Sequence, residues 1–444
     1  METLLVETPC GMVEGFRKEN ICYFLGIPFA RAERFAYPRE VTHWQGVLSA
    51  THFGPAPIQQ RTYYQKDTED PQNHYEHEFY QGFESDYSED CLNLNIWAPD
   101  QAANCPVLII IYGGGLVSGQ NNSPECCGES FARNGIVTVA MNYRLNVFGF
   151  AALPELANEN GRCGNYGYYD QQAAIQWVLH NIQSFGGDPS RMTLIGQSAG
   201  AACCETQIKS PLNSGVFKQA IIQSSAGFAT FIKQKRNNES EYNKWRQVYK
   251  ETGCRSIEEF KSIPAQDLYE AFAVVSARHP MGFCNAVYDE NFTASHKNTP
   301  CRTKILCSLT SEDVMPLLLY LMCRYLAYSQ RKGGVDTYAY FFKRKLPGDN
   351  KGAWHGSDLL YLYGGLNRSW RPFTAEDHIY SDTMLHYLCN FIRNGDPNGR
   401  YMPCWTPLRK GNDFLVLGQG APHMGKPEIY DLLKNTLHPN GIGM

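Results

Sequence analysis

Six short, β-rich and mostly apolar segments constrain the fold of this chain most strongly. They are VLIIIY (107–112), IVTVAMNY (136–143), MTLIG (192–196), AIIQSS (220–225), KILCSL (304–309) and TYAYFF (337–342). Stretches long enough to hold helices separate them, such as YDQQAAIQWVLHNIQ at 169–183. Strands that are apolar on both faces and alternate with helices are typical of a largely parallel sheet covered by helices on both sides. The sequence therefore predicts an α/β fold.

The domain organisation follows from what interrupts this alternation. The first thirty residues suit short antiparallel strands, and a polar stretch at 59–88 is predicted to run over the surface beside a binding site. A mostly helical insertion is predicted at about 227–300, where Ser256 followed by Glu258 and Glu259 indicates a capped helix start. Because no repeat, low-complexity tract or flexible linker is present, we predict a single domain over residues 1–444.

Charge and composition exclude several classes of partner. The chain has 40 basic and 44 acidic residues, so no global field would hold nucleic acid or an anionic membrane. The N-terminal residues carry acids where a signal peptide needs positive charge, and the longest apolar tracts are about half the ~20 residues of a membrane-spanning helix. The 16 cysteines are scattered without zinc spacing. We expect a cytoplasmic protein with reduced cysteines, a small-molecule substrate, and no membrane, metal or cofactor.

The segment RMTLIGQSAG at 191–200 places a serine between two glycines at the end of a predicted strand. A serine hydroxyl reaches the top of a parallel sheet only if the chain turns sharply from strand into helix, and residues two before and two after the serine then approach each other closely. Gly196 and Gly200 fit this demand. The turn also places the N–H of Ala199 at a helix N-terminus, where it can help to hold an oxyanion. Ser198 is therefore a candidate nucleophile.

A serine nucleophile needs an oxyanion site, a base and an orienting acid. The glycine run at 113–115, directly after VLIIIY, can supply unobstructed backbone N–H groups. Seven histidines follow the serine: His279, His296, His355, His378, His386, His423 and His438. His355 is preferred because it lies in a loop after a strand, whereas His378 and His386 lie in a long helical run. Glu312 and Asp313, after KILCSL, are both candidates for the acid.

Longer motifs resemble the type-B carboxylesterases of the α/β-hydrolase superfamily, a group that includes cholinesterases and bacterial para-nitrobenzyl esterases. The similar segments are FLGIPFA (24–30), HWQGVLSATHFGP (43–55), SEDCLNLNIW (88–97), NYRLNVFGF (142–150), GNYGYYDQQAAIQWVLHNIQSFGGDP (164–189), GQSAG (196–200), AIIQSS (220–225) and YLCNFIRNGDPNG (387–399). The likeness runs nearly from end to end. It implies an α/β-hydrolase fold and a serine carboxylesterase that acts on neutral, fairly apolar esters without a cofactor or metal.

The resemblance also implies a role for individual residues. Ser198 corresponds to the nucleophile, and His355, in HGSDLLYLYG, corresponds to the base. Glu312 corresponds to the acid, because SED falls where the family has an acid followed by glycine. The oxyanion donors are the N–H groups of Gly114, Gly115 and Ala199. Ser224, in IIQSS, corresponds to a family serine that is expected to form structural hydrogen bonds behind the site.

Several departures from the family pattern affect the expected substrate and location. Gln197 replaces a common glutamate and removes a negative charge beside the nucleophile, which argues against choline esters. Asp313 stands where the family has a glycine. The segment between Glu312 and His355 is short for the family, which predicts a more open pocket. Exported members pair the cysteine equivalent to Cys91 with an earlier one, but Pro57 occupies the approximate position of that partner, which favours a cytoplasmic, bacterial setting.

Two rival functions remain open at this point. Neuroligin-like adhesion molecules keep the fold without the nucleophile, so the chain could be a binding protein. A hydrolase of thioesters, amides or lactones would need the same machinery, because each reaction passes through the same kind of tetrahedral oxyanion. The sequence gives no oligomeric state and no acyl or alcohol preference.

Overall fold

The computed structural model of the protein describes residues 2–59, 78–79, 85–227, 237–279, 284–292, 302–409 and 413–437. The strands are β1 (Glu2–Thr8), β2 (Gly11–Lys18), β3 (Ile21–Pro28), β4 (Ala30–Arg31), β5 (Arg39–Glu40), β6 (Val47–Ser49), β7 (Ala56–Pro57), β8 (Tyr87–Ser88), β9 (Asn93–Pro99), β10 (Cys105–Ile111), β11 (Val137–Met141), β12 (Gly187–Gln197), β13 (Phe217–Gln223), β14 (Lys304–Thr310), β15 (Thr337–Phe342), β16 (Phe414–Leu417) and β17 (His423–Gly425). The α-helices are α1 (Glu129–Arg133), α2 (Asn146–Phe150), α3 (Tyr166–Asn181), α4 (Ala199–Lys209), α5 (Glu239–Glu251), α6 (Ile257–Ser262), α7 (Ala265–Ser276), α8 (Pro316–Lys332), α9 (Asp358–Leu362), α10 (Ala375–Asn394) and α11 (Ile429–Leu437).

One large sheet organises the described part of the chain. Its strands follow the order β1-β2-β3-β9-β11-β10-β12-β13-β14-β15-β16-β17, with β6 paired to β2. From β11 to β16 the neighbouring strands run parallel, whereas β1, β2, β3 and β9 form an antiparallel edge and β17 returns antiparallel beside β16. The predicted α/β fold with a mostly parallel sheet is confirmed.

The six apolar segments form the six central parallel strands, β10 to β15. Five of these strands are buried along almost their whole length, and β12 is buried over its carboxyl half. Helix α4 packs against β12 and β13, and α10 contacts β10. An apolar strand buried on both faces removes the most hydrophobic surface from water, and each Å² of apolar surface buried stabilises the fold by about 25 cal/mol. This burial explains why the central strands read as continuous apolar runs.

Three helices, α5 to α7, lie between β13 and β14, within the tract predicted as a helical insertion. Helix α6 has the predicted cap, because the Ser256 hydroxyl accepts a hydrogen bond of 3.1 Å from the N–H of Glu259. Such a cap satisfies one of the N–H groups that a helix start leaves without a partner. Most of the predicted surface stretch at 59–88, and parts of 227–300, lie outside the described residues.

A buried ion pair joins the end of β11 to helix α3. The Arg144 guanidinium donates from Nε to Asp170 Oδ2 at 2.9 Å and from Nη2 to Asp170 Oδ1 at 2.8 Å. Asp170 Oδ2 also accepts from the Arg144 backbone N–H at 3.0 Å. Both side chains are almost fully buried, so removing one partner would leave an uncompensated charge. The pair fixes the loop after β11 against the sheet.

The carboxyl ends of β12, β14 and β15 meet at one edge of the sheet. Ser198 directly follows β12, Asp313 follows β14 by three residues, and His355 lies in the segment after β15. Ligands of open α/β sheets bind outside the carboxyl ends of the strands. The topology therefore brings the predicted site residues to the edge where a site is expected.

Candidate active site

Ser198 lies on the sharp turn that the sequence predicted. Its backbone has φ 56° and ψ −129°, which a non-glycine residue rarely adopts. A Cβ atom on Gly196 would lie 2.5 Å from the backbone of Gly200, and one on Gly200 would lie 2.2 Å from the carbonyl oxygen of Ile111. Both positions therefore require glycine. The Ser198 N–H donates to the Gln223 carbonyl at 2.9 Å, which holds the turn on β13.

The glycine run after β10 passes beside the serine. A Cβ on Gly113 would lie 3.2 Å from the Cβ of Ser198. Gly114 and Gly115 have φ angles of 101° and 64°, which turn their backbone away from the strand direction. The N–H groups of Gly114, Gly115 and Ala199 have no hydrogen-bond acceptor in the part of the chain that the structure describes. Three donors beside a serine hydroxyl can hold an oxyanion.

The imidazole of His355 contacts the carboxylate of Asp313. His355 Nδ1 and Asp313 Oδ1 are 2.5 Å apart, and the histidine side chain is 26% exposed while the aspartate side chain is fully buried. Asp313 Oδ2 accepts from the Thr310 N–H at 3.0 Å, and Oδ1 also accepts from the Val314 N–H at 3.1 Å. These donors fix the carboxylate, which in turn fixes the orientation of the imidazole.

The structure differs from the prediction that Glu312 is the acid beside His355. The Glu312 carboxylate accepts hydrogen bonds from the Ser311 hydroxyl and, at 2.8 Å, from the Ala353 N–H. The Glu312 N–H donates to the Ala353 carbonyl at 3.0 Å. Successive side chains of an extended segment point to opposite sides, so only one of the two neighbouring acids can face the imidazole. Glu312 instead clamps the loop that carries His355.

Opposing effects set the pKa values of this pair. Burial raises the pKa of Asp313, but the His355 charge and the hydrogen bonds to the carboxylate outweigh it and leave the pKa below its usual range. Burial lowers the pKa of His355, but the adjacent Asp313 carboxylate outweighs it and leaves the pKa above its usual range. Each partner therefore favours the charged form of the other, so the site is suited to an imidazole that gains a proton during a reaction.

The Nε2 atom of His355 contacts a residue that sequence reasoning did not connect with it. Gln197 Nε2 lies 3.1 Å from His355 Nε2. The Ser198 hydroxyl, which is the group expected to bind His355 Nε2, makes no hydrogen bond within the described ranges. The only sequence signal for Gln197 was its replacement of the family glutamate. The structure thus places Ser198 and His355 at the same edge but with Gln197 bound to the imidazole.

A second buried carboxylate lies behind the imidazole, three residues along the chain. Asp358 Oδ2 accepts from the Tyr340 hydroxyl at 2.6 Å, and that hydroxyl accepts from Gln223 Nε2 at 2.9 Å. The Tyr363 hydroxyl donates to Gln223 Oε1 at 3.3 Å. Because the Gln223 carbonyl accepts from the Ser198 N–H, this network supports the turn at Ser198 from below. The HGSD motif was the sequence signal for Asp358, but its role was missed.

Asp358→Asn is expected to change the pH dependence of stability. Burial raises the pKa of Asp358 to about 6, and the nearby Asp313 carboxylate adds to the effect. A raised pKa means that the stability contributed by the protonated form is complete below about pH 4 and is lost as the pH rises through about 6. The difference in unfolding free energy, Asn variant minus unsubstituted protein, should therefore grow by about 3 kcal/mol between pH 4 and pH 7.

Urea titrations of both proteins at pH 4, 5, 6 and 7 measure this difference. Asp188→Asn serves as a control, because hydrogen bonds from Ser190 lower the pKa of that partly exposed carboxylate. The control variant should not gain stability relative to the unsubstituted protein as the pH rises. Parallel stability curves for Asp358→Asn and the unsubstituted protein would contradict the prediction.

The other candidate histidines that the structure describes belong to other elements of the fold. His378 and His386 belong to α10, as the helical pattern predicted, and His423 begins β17. His279 follows α7. His296 and His438 lie outside the described residues. Among the described histidines, therefore, the structure brings His355 to the Ser198 edge.

A cavity of about 310 Å³ lies near the site but does not include it. Its lining residues are Glu78, Phe79, Pro124, Glu125, Leu359, Leu360, Tyr363, Gly365, Arg368, Ser369 and Trp370. Phe79 packs edge-on against Trp354, the residue before His355, at 5.9 Å between ring centroids. Neither Ser198 nor His355 lines this cavity.

The described residues contain no group of three histidine, cysteine or acidic side chains arranged to hold a metal ion. They also contain no helix that is both long and apolar enough to cross a membrane.

Comparisons with known proteins agree with this architecture. The fumonisin B1 esterase of Sphingopyxis macrogoltabida is 38% identical over 229 residues, which cover 50% of this chain and 39% of that protein. The chain thus matches about two fifths of the length of this relative. A carboxylesterase of Geobacillus stearothermophilus, Est55, has a TM-score of 0.78 at 27% identity, covering 96% of this chain and 98% of its own. A para-nitrobenzyl esterase structure has a TM-score of 0.80 at 22% identity, covering 97% and 99%, and shows the shared fold.

The model of the carboxylesterase family matches residues 2–322 and 314–426, which together span most of the chain. This match covers both the glycine-flanked Ser198 and the segment that carries His355. The resemblance found in the sequence is confirmed, and the chain belongs to the carboxylesterase family.

Proposed function

We propose that the protein is a carboxylic ester hydrolase in which Ser198, His355 and Asp313 carry out the hydrolysis, with Ser198 as nucleophile. One observation supports this proposal above all others. A serine on a strained turn lies beside backbone N–H groups that have no acceptor among the described residues, at the same sheet edge as an imidazole bound to a buried carboxylate. Such strain costs about 1–3 kcal/mol and is maintained at functional sites.

The first half of the reaction forms an acyl-enzyme. His355 Nε2 takes the proton of the Ser198 hydroxyl as the oxygen attacks the ester carbonyl. The N–H groups of Gly114, Gly115 and Ala199 bind the oxyanion that develops on the carbonyl oxygen. The imidazolium then gives its proton to the departing alcohol. Asp313 accepts from Nδ1 throughout, which keeps Nε2 available as the base.

The second half of the reaction releases the acid. A water molecule enters on the side that the alcohol has left, and His355 takes its proton as the water attacks the acyl-enzyme. The same N–H groups stabilise the second tetrahedral oxyanion. As this intermediate collapses, the His355 imidazolium returns its proton to the Ser198 oxygen, which restores the serine hydroxyl and releases the carboxylic acid. No metal or cofactor takes part in either step.

The proposed substrates are small, neutral, fairly apolar carboxylic esters. The amide of Gln197, rather than a carboxylate, lies beside the nucleophile, so this position contributes no negative charge that would attract a cationic alcohol. The overall charge of −4 gives no preference for large polyanions either. No observation favours a thioester, amide or lactone, or a non-catalytic binding role, over an ester.

We also infer that the chain acts as a single domain in a reducing, cytoplasmic setting in a bacterium. The main sheet uses strands from Glu2 to Gly425, which supports one domain. The cysteines among the described residues are free thiols, including the buried Cys91, and Pro57 lies in β7 where exported relatives were expected to carry a partner cysteine. Burial raises the pKa of the Cys91 thiol, which keeps it protonated and unreactive.

The test uses the purified full chain and two kinds of reagent. We expect hydrolysis of para-nitrophenyl esters between acetate and decanoate, with one optimal acyl length that reports the size of the acyl pocket. A fluorophosphonate should block this hydrolysis and add one phosphonyl group to the peptide that contains Ser198, as detected by mass spectrometry. A folded protein without hydrolysis or labelling would support a binding role. Faster turnover of a matched butyryl thioester, anilide or lactone would support one of those substrate classes instead.

A further inference from the structure

We propose that Gln197 is a positioning residue that binds His355 Nε2 in the resting enzyme and releases it when Ser198 reacts. The inference rests on the proposed function and deepens it. Gln197 ends β12 immediately before the nucleophile, is 5% exposed, and places Nε2 of its amide 3.1 Å from the imidazole Nε2. The Ser198 hydroxyl makes no hydrogen bond among the described residues. The atom that must receive the serine proton is therefore bound to a different side chain.

The positions of the protons on the imidazole determine the direction of this hydrogen bond. Asp313 accepts from Nδ1, so in the neutral imidazole Nε2 carries a lone pair and can only accept. The Gln197 amide therefore donates to His355. The amide oxygen points to the other side, where a Cβ on Gly113 would lie 3.2 Å from it. This arrangement matches a neutral base, which is the form that the proposed reaction needs.

The contact affects both the pKa and the reactivity of His355. Donation to the lone pair favours the neutral imidazole, so it opposes the carboxylates that favour the charged form. Those carboxylates are Asp313, after β14, and Asp358, at the start of α9. The amide must also release Nε2 before the serine can use it. Breaking this one hydrogen bond is expected to slow proton transfer by about 2- to 10-fold.

Two substitutions separate these effects. Gln197→Glu replaces the donor by a carboxylate, which can accept from the charged imidazole, and should raise the pKa of His355 by about 1–2 units. Because the base must be neutral, the acidic limb of kcat/KM should move to higher pH by the same amount, with activity recovered at the alkaline plateau. Gln197→Met keeps the side-chain length but removes the donor. It should raise the pKa by less than one unit and raise the plateau of kcat/KM about 2- to 10-fold.

The measurements are pH profiles of kcat/KM for a para-nitrophenyl ester from pH 5 to 9.5 and NMR titrations of histidine labelled at the ring. The resonance missing from His355→Gln identifies His355. Gln101→Glu, in the exposed turn between β9 and β10, controls for the added charge and should leave the profile and the titration unchanged. A merely structural role for Gln197 would lower activity at every pH without moving the limb.

The outcomes distinguish this inference from the proposed function. An upward shift of the His355 resonance and of the acidic limb in Gln197→Glu, together with the higher plateau in Gln197→Met, would support the positioning role. An unchanged His355 titration in both variants would overturn it, even if the unsubstituted enzyme hydrolyses esters as proposed. If no ester is hydrolysed, the proposed function fails, and the NMR titrations still decide whether Gln197 sets the pKa of His355. If Gln197→Glu fails to fold, the Gln197→Met titration and plateau decide alone.

Discussion

Ser198→Ala is expected to reduce kcat/KM for para-nitrophenyl esters by about 10⁵- to 10⁶-fold. Removing the hydroxyl abolishes the acyl-enzyme. The N–H groups of Gly114 and Gly115 remain, so the variant should still hydrolyse the ester slightly faster than the uncatalysed reaction in water. The strained backbone at position 198 is held by the Gln223 carbonyl and by the glycines on either side, so the variant should fold. Steady-state kinetics and a circular dichroism spectrum of the variant test both expectations.

Ser224→Ala provides the matched control for this experiment. Ser224 is another buried serine at the end of the neighbouring strand, and its φ of 54° resembles that of Ser198. Its N–H donates to the Ser308 carbonyl at 3.0 Å, and its hydroxyl helps to lower the pKa of Asp313 from behind. We expect its loss to change kcat/KM by less than about tenfold. A loss in Ser224→Ala equal to that in Ser198→Ala would contradict Ser198 as the nucleophile.

Asp313→Asn is expected to lower kcat by about 10³- to 10⁴-fold with little change in KM. The amide can donate to His355 Nδ1, which would place the proton of the neutral imidazole on Nε2, where it cannot act as a base. The imidazolium formed during the reaction would also lose its adjacent negative charge. Both effects act on proton transfer rather than on ester binding, and steady-state kinetics separates kcat from KM.

Glu312→Gln decides between the two neighbouring acids. A glutamine at position 312 can still accept from the Ala353 N–H through its carbonyl oxygen, so the loop that carries His355 should stay in place. We expect kcat within about tenfold of the unsubstituted enzyme. If Glu312→Gln caused the large loss and Asp313→Asn the small one, the assignment from family resemblance would be right and the contact with Asp313 would not be catalytic.

The turn at Ser198 could be predicted because its requirements are local in the sequence. The sharp turn needs glycine at positions 196 and 200, a strand before it and a helix after it, and all of these lie within a short window of sequence. The six central strands could be predicted for a similar reason, because a strand that is buried on both faces consists of consecutive apolar residues. His355 could be chosen from the order of strand and loop together with its family-like motif.

The identity of the acid depended on tertiary structure. The residues at positions 312 and 313 are both acidic and adjacent, so sequence spacing could not choose between them. After β14, Glu312 pairs with Trp354 in an isolated β-bridge. This pairing turns the Glu312 side chain toward the His355 loop and the Asp313 side chain toward the imidazole. A prediction based on the family motif therefore selected the wrong one of two neighbours for contact with His355.

The alternation of buried strands and helices, the turn at Ser198 and the glycine run could be predicted because each depends on residues close together in the chain. Three contacts emerge only from the folded chain: Asp313 with His355, Gln197 with the His355 Nε2 atom 158 positions away, and the burial of Asp358 behind that pair. These features depend on which side chains face each other where separate strands converge. Local sequence patterns do not encode that relation, since each contact joins residues whose own neighbours would permit several orientations.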